Sequence, residues 1–165
     1  MLSVRFGDAL ECPGDILVHQ VNYEGVMGGG IAYAIRKKLL PESAYAEYEK
    51  RCEIGGKANL GTVLWSKLPE GSPKKYVANC FCQLGPDNED AEFEDAGLTS
   101  YTAMQKCMEE VRAFALRKNL SVVIPGYLGC GIAGGDWGRV SLLLAKVFLT
   151  VPVDARICYR ESDVK

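Results

Sequence analysis

Two glycine-rich segments are the parts of this sequence best suited to bind a charged ligand. The first runs from Gly25 to Gly30 and follows the apolar run ILVHQV, which predicts a short buried strand. From Ile31 the apolar residues recur at helical spacing, so the segment leads into a predicted helix that extends to Lys38. Glycines let main-chain N–H groups approach a ligand, and the first N–H groups of a helix have no partner within it. The pattern therefore predicts a phosphate or diphosphate site.

The second segment, PGYLGCGIAGGDW, lies between the predicted strand at 120–124 and a predicted helix at 137–149. Gly129, Gly131 and Gly134 match the G-x-G-x-x-G pattern of dinucleotide-binding folds, with Asp154 near the spacing of the ribose-binding acid. However, too little chain follows to complete a doubly wound sheet, and Asp154 precedes a strand rather than ending one. A nucleotide-binding oxidoreductase is therefore the weaker interpretation.

Predicted strands and helices alternate along the chain, which indicates an α/β fold with helices on both faces of a mainly parallel sheet. The remaining strands are predicted at 2–6, 16–22, 61–68, 76–82 and 155–159, and further helices at 44–52 and 98–118. Residues 84–97 contain six carboxylates and predict a mobile acidic loop, centred on 87–95. Ligands of such sheets bind beyond the carboxyl ends of the strands, where both glycine segments are expected.

The composition is that of one folded domain covering residues 1–165. The chain is 48% hydrophobic and 24% charged, with a net charge of −2, which argues against non-specific binding to nucleic acid. No apolar run reaches the ~20 residues that span a bilayer, so no membrane association is expected. The first residues lack the pattern of a secretion signal. We therefore expect a monomeric, cytoplasmic protein.

The seven cysteines are scattered along the chain, and most fall within predicted strands and helices. Reduced, buried thiols are the simplest expectation for such residues. Cys80 and Cys82 do not have zinc-ligand spacing, and the sequence contains one histidine. No metal site and no cofactor are predicted.

The two glycine segments and the order of the elements resemble the macrodomain family. VHQVNYEGVMGGGIA resembles the first ligand loop of macrodomains and IPGYLGCGIAGGDW resembles the second, so the resemblance covers nearly the whole chain. The branch that it resembles most contains terminal ADP-ribose protein glycohydrolase and the yeast-type ADP-ribose-1''-phosphate phosphatases. The resemblance implies a three-layer α/β/α fold with a mixed, mainly parallel sheet of about six strands. It also implies that ADP-ribose, free or attached to a macromolecule, is the ligand.

The resemblance further implies a set of binding residues. Asp8 would accept a hydrogen bond from the adenine amino group, with Asp15 as a competing candidate and a simple turn as the alternative role. Asn22 would bind the distal ribose or cap the strand, and Tyr159 would pack on adenine or belong to the core. The full predicted set comprises Asp8, Ala9, Gln20, Asn22, Gly28, Gly29, Gly30, Ile31, Gly129, Cys130, Gly131, Ile132, Ala133 and Tyr159.

Catalytic residues are harder to predict than binding residues. Asn22, His19 and Asp136 are the candidates for orienting a water molecule. His19 shares a strand face with Leu17 and Val21, which favours a structural role, and Asp136 has the position of a helix N-cap.

The glycohydrolase branch uses a lysine at a strand end and an aspartate in its second loop. Here Ala133 stands at the position of that aspartate, and Lys74 and Lys75 precede the strand. We therefore expect either hydrolysis of a 1''-phosphate or ester at the distal ribose, without a lysine adduct, or binding of ADP-ribose without turnover.

Overall fold

The computed structural model describes residues 1–85 and 97–163, so the predicted acidic loop at 87–95 lies outside the described residues. The strands are Leu2–Phe6 (β1), Ile16–Asn22 (β2), Val63–Lys67 (β3), Tyr76–Gln83 (β4), Val122–Pro125 (β5) and Ala155–Tyr159 (β6). The α-helices are Gly30–Lys38 (α1), Glu42–Gly55 (α2), Tyr101–Lys118 (α3) and Trp137–Phe148 (α4).

The strands form one sheet in the order β1-β6-β5-β2-β4-β3. The β3–β4 pair is antiparallel and the other neighbouring pairs are parallel. Helices α3 and α4 pack on one face, and α1 and α2 contribute to clusters on the other. The predicted mixed, mainly parallel sheet between helical layers is confirmed.

Strand β2 lies inside the sheet and is buried on both faces. Its Ile16 and Val18 side chains join the cluster that contains α3 and α4, whereas Leu17 and Val21 pack toward the opposite face. Burial on both faces explains why β2 has a nearly continuous apolar run rather than an alternating pattern.

Helix α3 begins three residues after its predicted start because Ser100 caps it. The Ser100 hydroxyl accepts a hydrogen bond from the Ala103 N–H at 3.2 Å. Upstream, Thr99 forms a bridge with Gln83 at the end of β4, which holds this segment in an extended conformation. The helix ends at Asn119, whose φ of 54° terminates the helical hydrogen bonding.

The expectation of reduced thiols is wrong for one pair of cysteines. Cys12, in the loop after β1, forms a disulfide with Cys158 in β6. The sequence separation of 146 residues explains why the pairing had no local signal. Cys52, Cys80, Cys82, Cys107 and Cys130 are free, and all but Cys130 are buried.

Within the ranges 1–85 and 97–163, no helix is long and apolar enough to cross a membrane.

Candidate functional site

A cleft of about 880 Å³ opens beyond the carboxyl ends of the parallel strands. This volume is within the range of small-molecule sites. Both glycine segments line the cleft, and they meet across it: a Cβ placed on Gly29 would lie 3.1 Å from Cδ1 of Ile132. The two segments therefore converge on one ligand site.

The first glycine loop is held by Asn22 at the end of β2. The Asn22 side chain donates from Nδ2 to the Val26 carbonyl at 2.9 Å and accepts at Oδ1 from the Glu24 N–H at 3.0 Å. The Tyr45 hydroxyl donates to the Gly25 carbonyl at 3.1 Å. These bonds fix the path of the loop into helix α1, whose first residue, Gly30, has a φ of 58° that favours glycine.

The second glycine loop is held by Gln20, also on β2. Gln20 donates from Nε2 to the Thr99 hydroxyl at 3.1 Å, and Thr99 in turn donates to the Gly129 carbonyl at 2.6 Å. Gly129 has a φ of 72°, and a Cβ there would lie 2.8 Å from Oε1 of Gln20. Both the backbone conformation and the close packing therefore require glycine.

The cleft offers main-chain donors from both loops. Among the described residues, the N–H groups of Gly28, Gly29, Gly131 and Ile132 have no hydrogen-bond acceptor within the protein. Unpaired N–H groups at a helix start and in a glycine loop are typical of anion sites. The arrangement can hold a diphosphate between the loops.

One end of the cleft is charged. Asp8, Arg160 and Asp163 line it, beyond the ends of β1 and β6. Arg160 pairs with Asp163 at 3.2 Å, and this hydrogen bond, together with the charge of Asp8, holds the pKa of Arg160 above its usual value. The Asp8 carboxylate also accepts from the Leu10 N–H at 2.9 Å, so the predicted turn role and a cleft-lining position coexist.

The competing candidate, Asp15, lies outside the cleft. Its carboxylate accepts from the main chain and hydroxyl of Ser121 and pairs with Lys75. These contacts join the starts of β2 and β5, so Asp15 has a structural position, and of these two candidates Asp8 is the one that lines the cleft.

His19 is a buried core residue, which removes it from the candidate catalytic set. Its Nε2 lies 2.7 Å from Oδ1 of Asn79, whose Nδ2 donates to the Leu64 carbonyl and to Ser66, so Nε2 carries the proton. Burial lowers the pKa of His19 from 6.5 to about 4, and the imidazole is neutral at physiological pH. The predicted structural role agrees with this placement.

Asp136 and Tyr159 also lie outside the cleft lining. Asp136 caps α4 by accepting from the Arg139 N–H at 3.3 Å, which is the N-cap role expected from its position. Tyr159 accepts a hydrogen bond from the Trp137 indole at 3.1 Å, and its ring packs directly on Gly126. Tyr159 therefore packs behind Gly126, which itself lines the cleft, and its predicted packing on adenine stays a prediction.

The described part of the cleft lining contains no lysine. Lys74 is almost fully buried, and its ammonium donates to the carbonyls of Leu10 and Cys12. Burial lowers the pKa of Lys74, opposed by the charge of Asp8. Ala133, at the position that the resemblance gives to the aspartate of the glycohydrolase branch, lines the cleft.

Cys130 lines the cleft as a protonated thiol, because burial raises its pKa to about 11. Among the described residues, no group of three or more His, Cys, Asp or Glu side chains could hold a metal ion.

Sequence reasoning missed several cleft-lining residues, among them Gln83, Tyr127 and Arg160, which have polar side chains. Gln83 is the last residue of β4 and pairs in register with Asn22, a long-range relation with no local signal. Arg160 follows β6, whose predicted end at Tyr159 could have indicated a position at the strand's open end. Tyr127 has a φ of 61°, uncommon for a non-glycine residue, and its ring centroid lies 5.2 Å from that of Trp137.

The sequence profile of the Macro domain family matches residues 18–143, so the chain belongs to this family. The DNA ADP-ribosyl glycohydrolase of Mycobacterium tuberculosis is 30% identical over 161 residues, which cover 95% of this chain and 42% of that protein. This chain therefore spans less than half the length of that relative.

Two solved macrodomain structures have the same fold. The macrodomain of Mycobacterium tuberculosis DarG superposes with a TM-score of 0.76 at 26% identity, covering 96% of this chain and 97% of that one. The macrodomain of Thermus aquaticus DarG superposes with a TM-score of 0.74 at 22% identity, again covering 96% and 97% of the two chains.

Proposed function

We propose that this protein binds the ADP-ribose group, free or attached to a macromolecule, and hydrolyses a substituent at the distal ribose. The observation that carries the proposal is the convergence of two glycine loops on one cleft, with unpaired N–H groups in both. A diphosphate between the loops would leave a nucleoside toward Asp8 and a ribose toward Asn22. Asp8 is a suitable acceptor for the adenine amino group.

The hydrolytic part of the proposal is supported by the relatives named as DNA ADP-ribosyl glycohydrolases. Of the cleft-lining residues that the structure describes, the two carboxylates, Asp8 and Asp163, stand at the charged end rather than near Asn22. Hydrolysis would therefore depend on holding water beside the distal ribose, because accurate positioning alone supplies a large part of a rate enhancement. A 1''-phosphate, an ADP-ribosyl ester and an ADP-ribosyl nucleotide are the substituents to compare.

Binding is tested by titration calorimetry with ADP-ribose, NAD and AMP. We expect ADP-ribose to bind most tightly, since it fills both ends of the cleft without a nicotinamide ring. Tighter binding of NAD would contradict the proposal and favour an oxidoreductase. Sedimentation of the same samples tests the expected monomer, for which the cleft is already formed by one chain.

Turnover is tested by incubating the protein with ADP-ribose-1''-phosphate, ester-linked ADP-ribosyl protein and ADP-ribosylated DNA. Release of phosphate or ADP-ribose is followed by chromatography, with the Gly29→Glu variant as the matched control. Release that the variant abolishes supports hydrolysis. Binding without release from any of the three substrates would instead define a module that recognises ADP-ribose without turnover.

A further inference from the structure

Three side-chain amides line the floor of the cleft at the end opposite Asp8. Gln20 and Asn22 belong to β2, and Gln83 ends the neighbouring strand β4. Asn22 and Gln83 are register partners, so their side chains emerge at the same level of the sheet. We call Gln20, Asn22 and Gln83 the amide end of the cleft.

Two of these amides are engaged in holding the loops. Gln20 donates to Thr99, which donates to Gly129 of the second loop, and its Oε1 accepts from the Cys82 thiol at 3.2 Å. Asn22 bonds Val26 and Glu24 of the first loop, and its Oδ1 also lies 3.0 Å from the Tyr48 hydroxyl. Each amide on β2 therefore positions one glycine loop.

The third amide supports neither loop. Gln83 is half-buried in the cleft, and within the described residues its side chain has no hydrogen-bond partner. A primary amide offers two donors and an acceptor. Leaving such a group unpaired in a partly enclosed site is unfavourable unless water or a ligand satisfies it.

We infer that Gln83 is the side chain that binds the distal ribose, whereas Asn22 is a positioning residue that acts through the first glycine loop. This inference rests on the proposed function, which places a ribose at the amide end. Vicinal hydroxyl groups donate and accept hydrogen bonds, and an amide matches both roles without charge. Gln83 would thus distinguish ligands that have a ribose after the diphosphate from ligands that do not.

The test compares two nucleotides that differ in the distal ribose. Calorimetric affinities for ADP-ribose and for ADP are measured for the wild type and for Gln83→Met, which keeps the length of the side chain but removes its hydrogen-bonding groups. We expect binding of ADP-ribose to weaken about 3- to 10-fold, the effect of one or two hydrogen bonds, with binding of ADP unchanged. Gln105→Met is the control, because Gln105 lies on the surface of α3 and bonds Glu109.

Asn22→Ala separates the two roles. Loss of the loop anchor should weaken ADP-ribose and ADP by the same factor, since both ligands have a diphosphate. The inference is overturned if Gln83→Met leaves the ratio of the two affinities unchanged, or if Asn22→Ala weakens ADP-ribose alone. If the wild type binds neither nucleotide, the proposed function itself fails, which is a different result.

Discussion

The charged end and the amide end of the cleft are constructed differently. At the charged end, Asp8 lies near two cations, Arg160 in the cleft and Lys74 beneath the loop. The Cys12–Cys158 disulfide and the two hydrogen bonds from Lys74 brace that loop. At the amide end the lining consists of neutral side chains, two of which are occupied in holding the glycine loops.

This difference separates two kinds of recognition. A braced carboxylate can select one donor on a flat heterocycle, because the orientation of its oxygen atoms is fixed. Neutral amides bind hydroxyl groups with little regard to the charge of what the ribose carries. Under the proposed function, the amide end would be the place where the cleft accepts different substituents, and the charged end would be where it selects the base.

The largest effect on ligand affinity is expected from a substitution in the first glycine loop, between the charged end and the amide end. Gly29→Glu introduces a carboxylate beside the unpaired N–H groups, and its Cβ lies close to Ile132. Repulsion of the diphosphate and steric conflict together should weaken ADP-ribose by at least about 100-fold. Calorimetry checks this, with Ala58→Glu on the exposed surface as the control for added charge. A loss below tenfold would show that the diphosphate does not lie between the loops.

The second effect concerns the histidine beneath the amide end. Burial lowers the pKa of His19 from 6.5 in the unfolded chain to about 4 in the folded protein. Between these two pH values, the histidine is protonated in the unfolded chain and neutral in the folded protein. Stability should thus fall as the pH decreases through this window, by about 3 kcal/mol in total. Histidine occurs once in the chain, so His19→Gln isolates the contribution.

Urea denaturation at pH 7 and pH 4.5 measures the contribution of His19 to the pH dependence of stability. The decrease in the free energy of unfolding between these pH values should be smaller in His19→Gln by about 2 to 3 kcal/mol. Equal decreases in the two proteins would mean that His19 is not protected from protonation and that the floor of the amide end is open to water.

The third effect tests the charged end. In Asp8→Asn the side-chain oxygen can still accept from Leu10, while the carboxylate is lost. The variant should bind ADP-ribose about 10-fold less tightly, because a charge-assisted hydrogen bond to the adenine amino group is removed. Inosine diphosphate ribose lacks that amino group, so the wild type should prefer ADP-ribose, and the preference should be smaller in Asp8→Asn, whose neutral amide oxygen accepts more weakly. Asp15→Asn should keep the preference, and its loss there would transfer the role to Asp15.

The parts of the site that could be predicted from sequence are those with local signals. Short sequence segments were enough to predict the strand β2 from its apolar run, and both loops from their glycines. The face of His19 also followed from its alternation with Leu17 and Val21 on β2. These signals were enough to locate both loops and the sheet between the helices.

The remaining parts depend on contacts between distant segments. Gln83 enters the cleft because β4 pairs with β2, and Cys12 meets Cys158 because β6 lies beside β1. The surroundings of Tyr159 also come from distant residues, because its ring packs on Gly126 and its hydroxyl accepts from the Trp137 indole. The residue pattern of a short sequence segment does not show which other segment it will contact. These residues were therefore missed or left undecided.

The smallest effect is an expected absence of pH dependence at the amide end. The Gln83 amide does not ionise, the thiol of Cys130 has a pKa of about 11, and His19 is neutral above about pH 4. The factor by which Gln83→Met weakens ADP-ribose should therefore stay constant, within about twofold, between about pH 5.5 and 8.5. Calorimetry of both proteins across this range measures the factor, and any common effect of pH on the ligand cancels. A factor that grows as the pH falls through 6.5 would place an imidazolium within reach of the ribose, and the two ends of the cleft would then differ less than their side chains indicate.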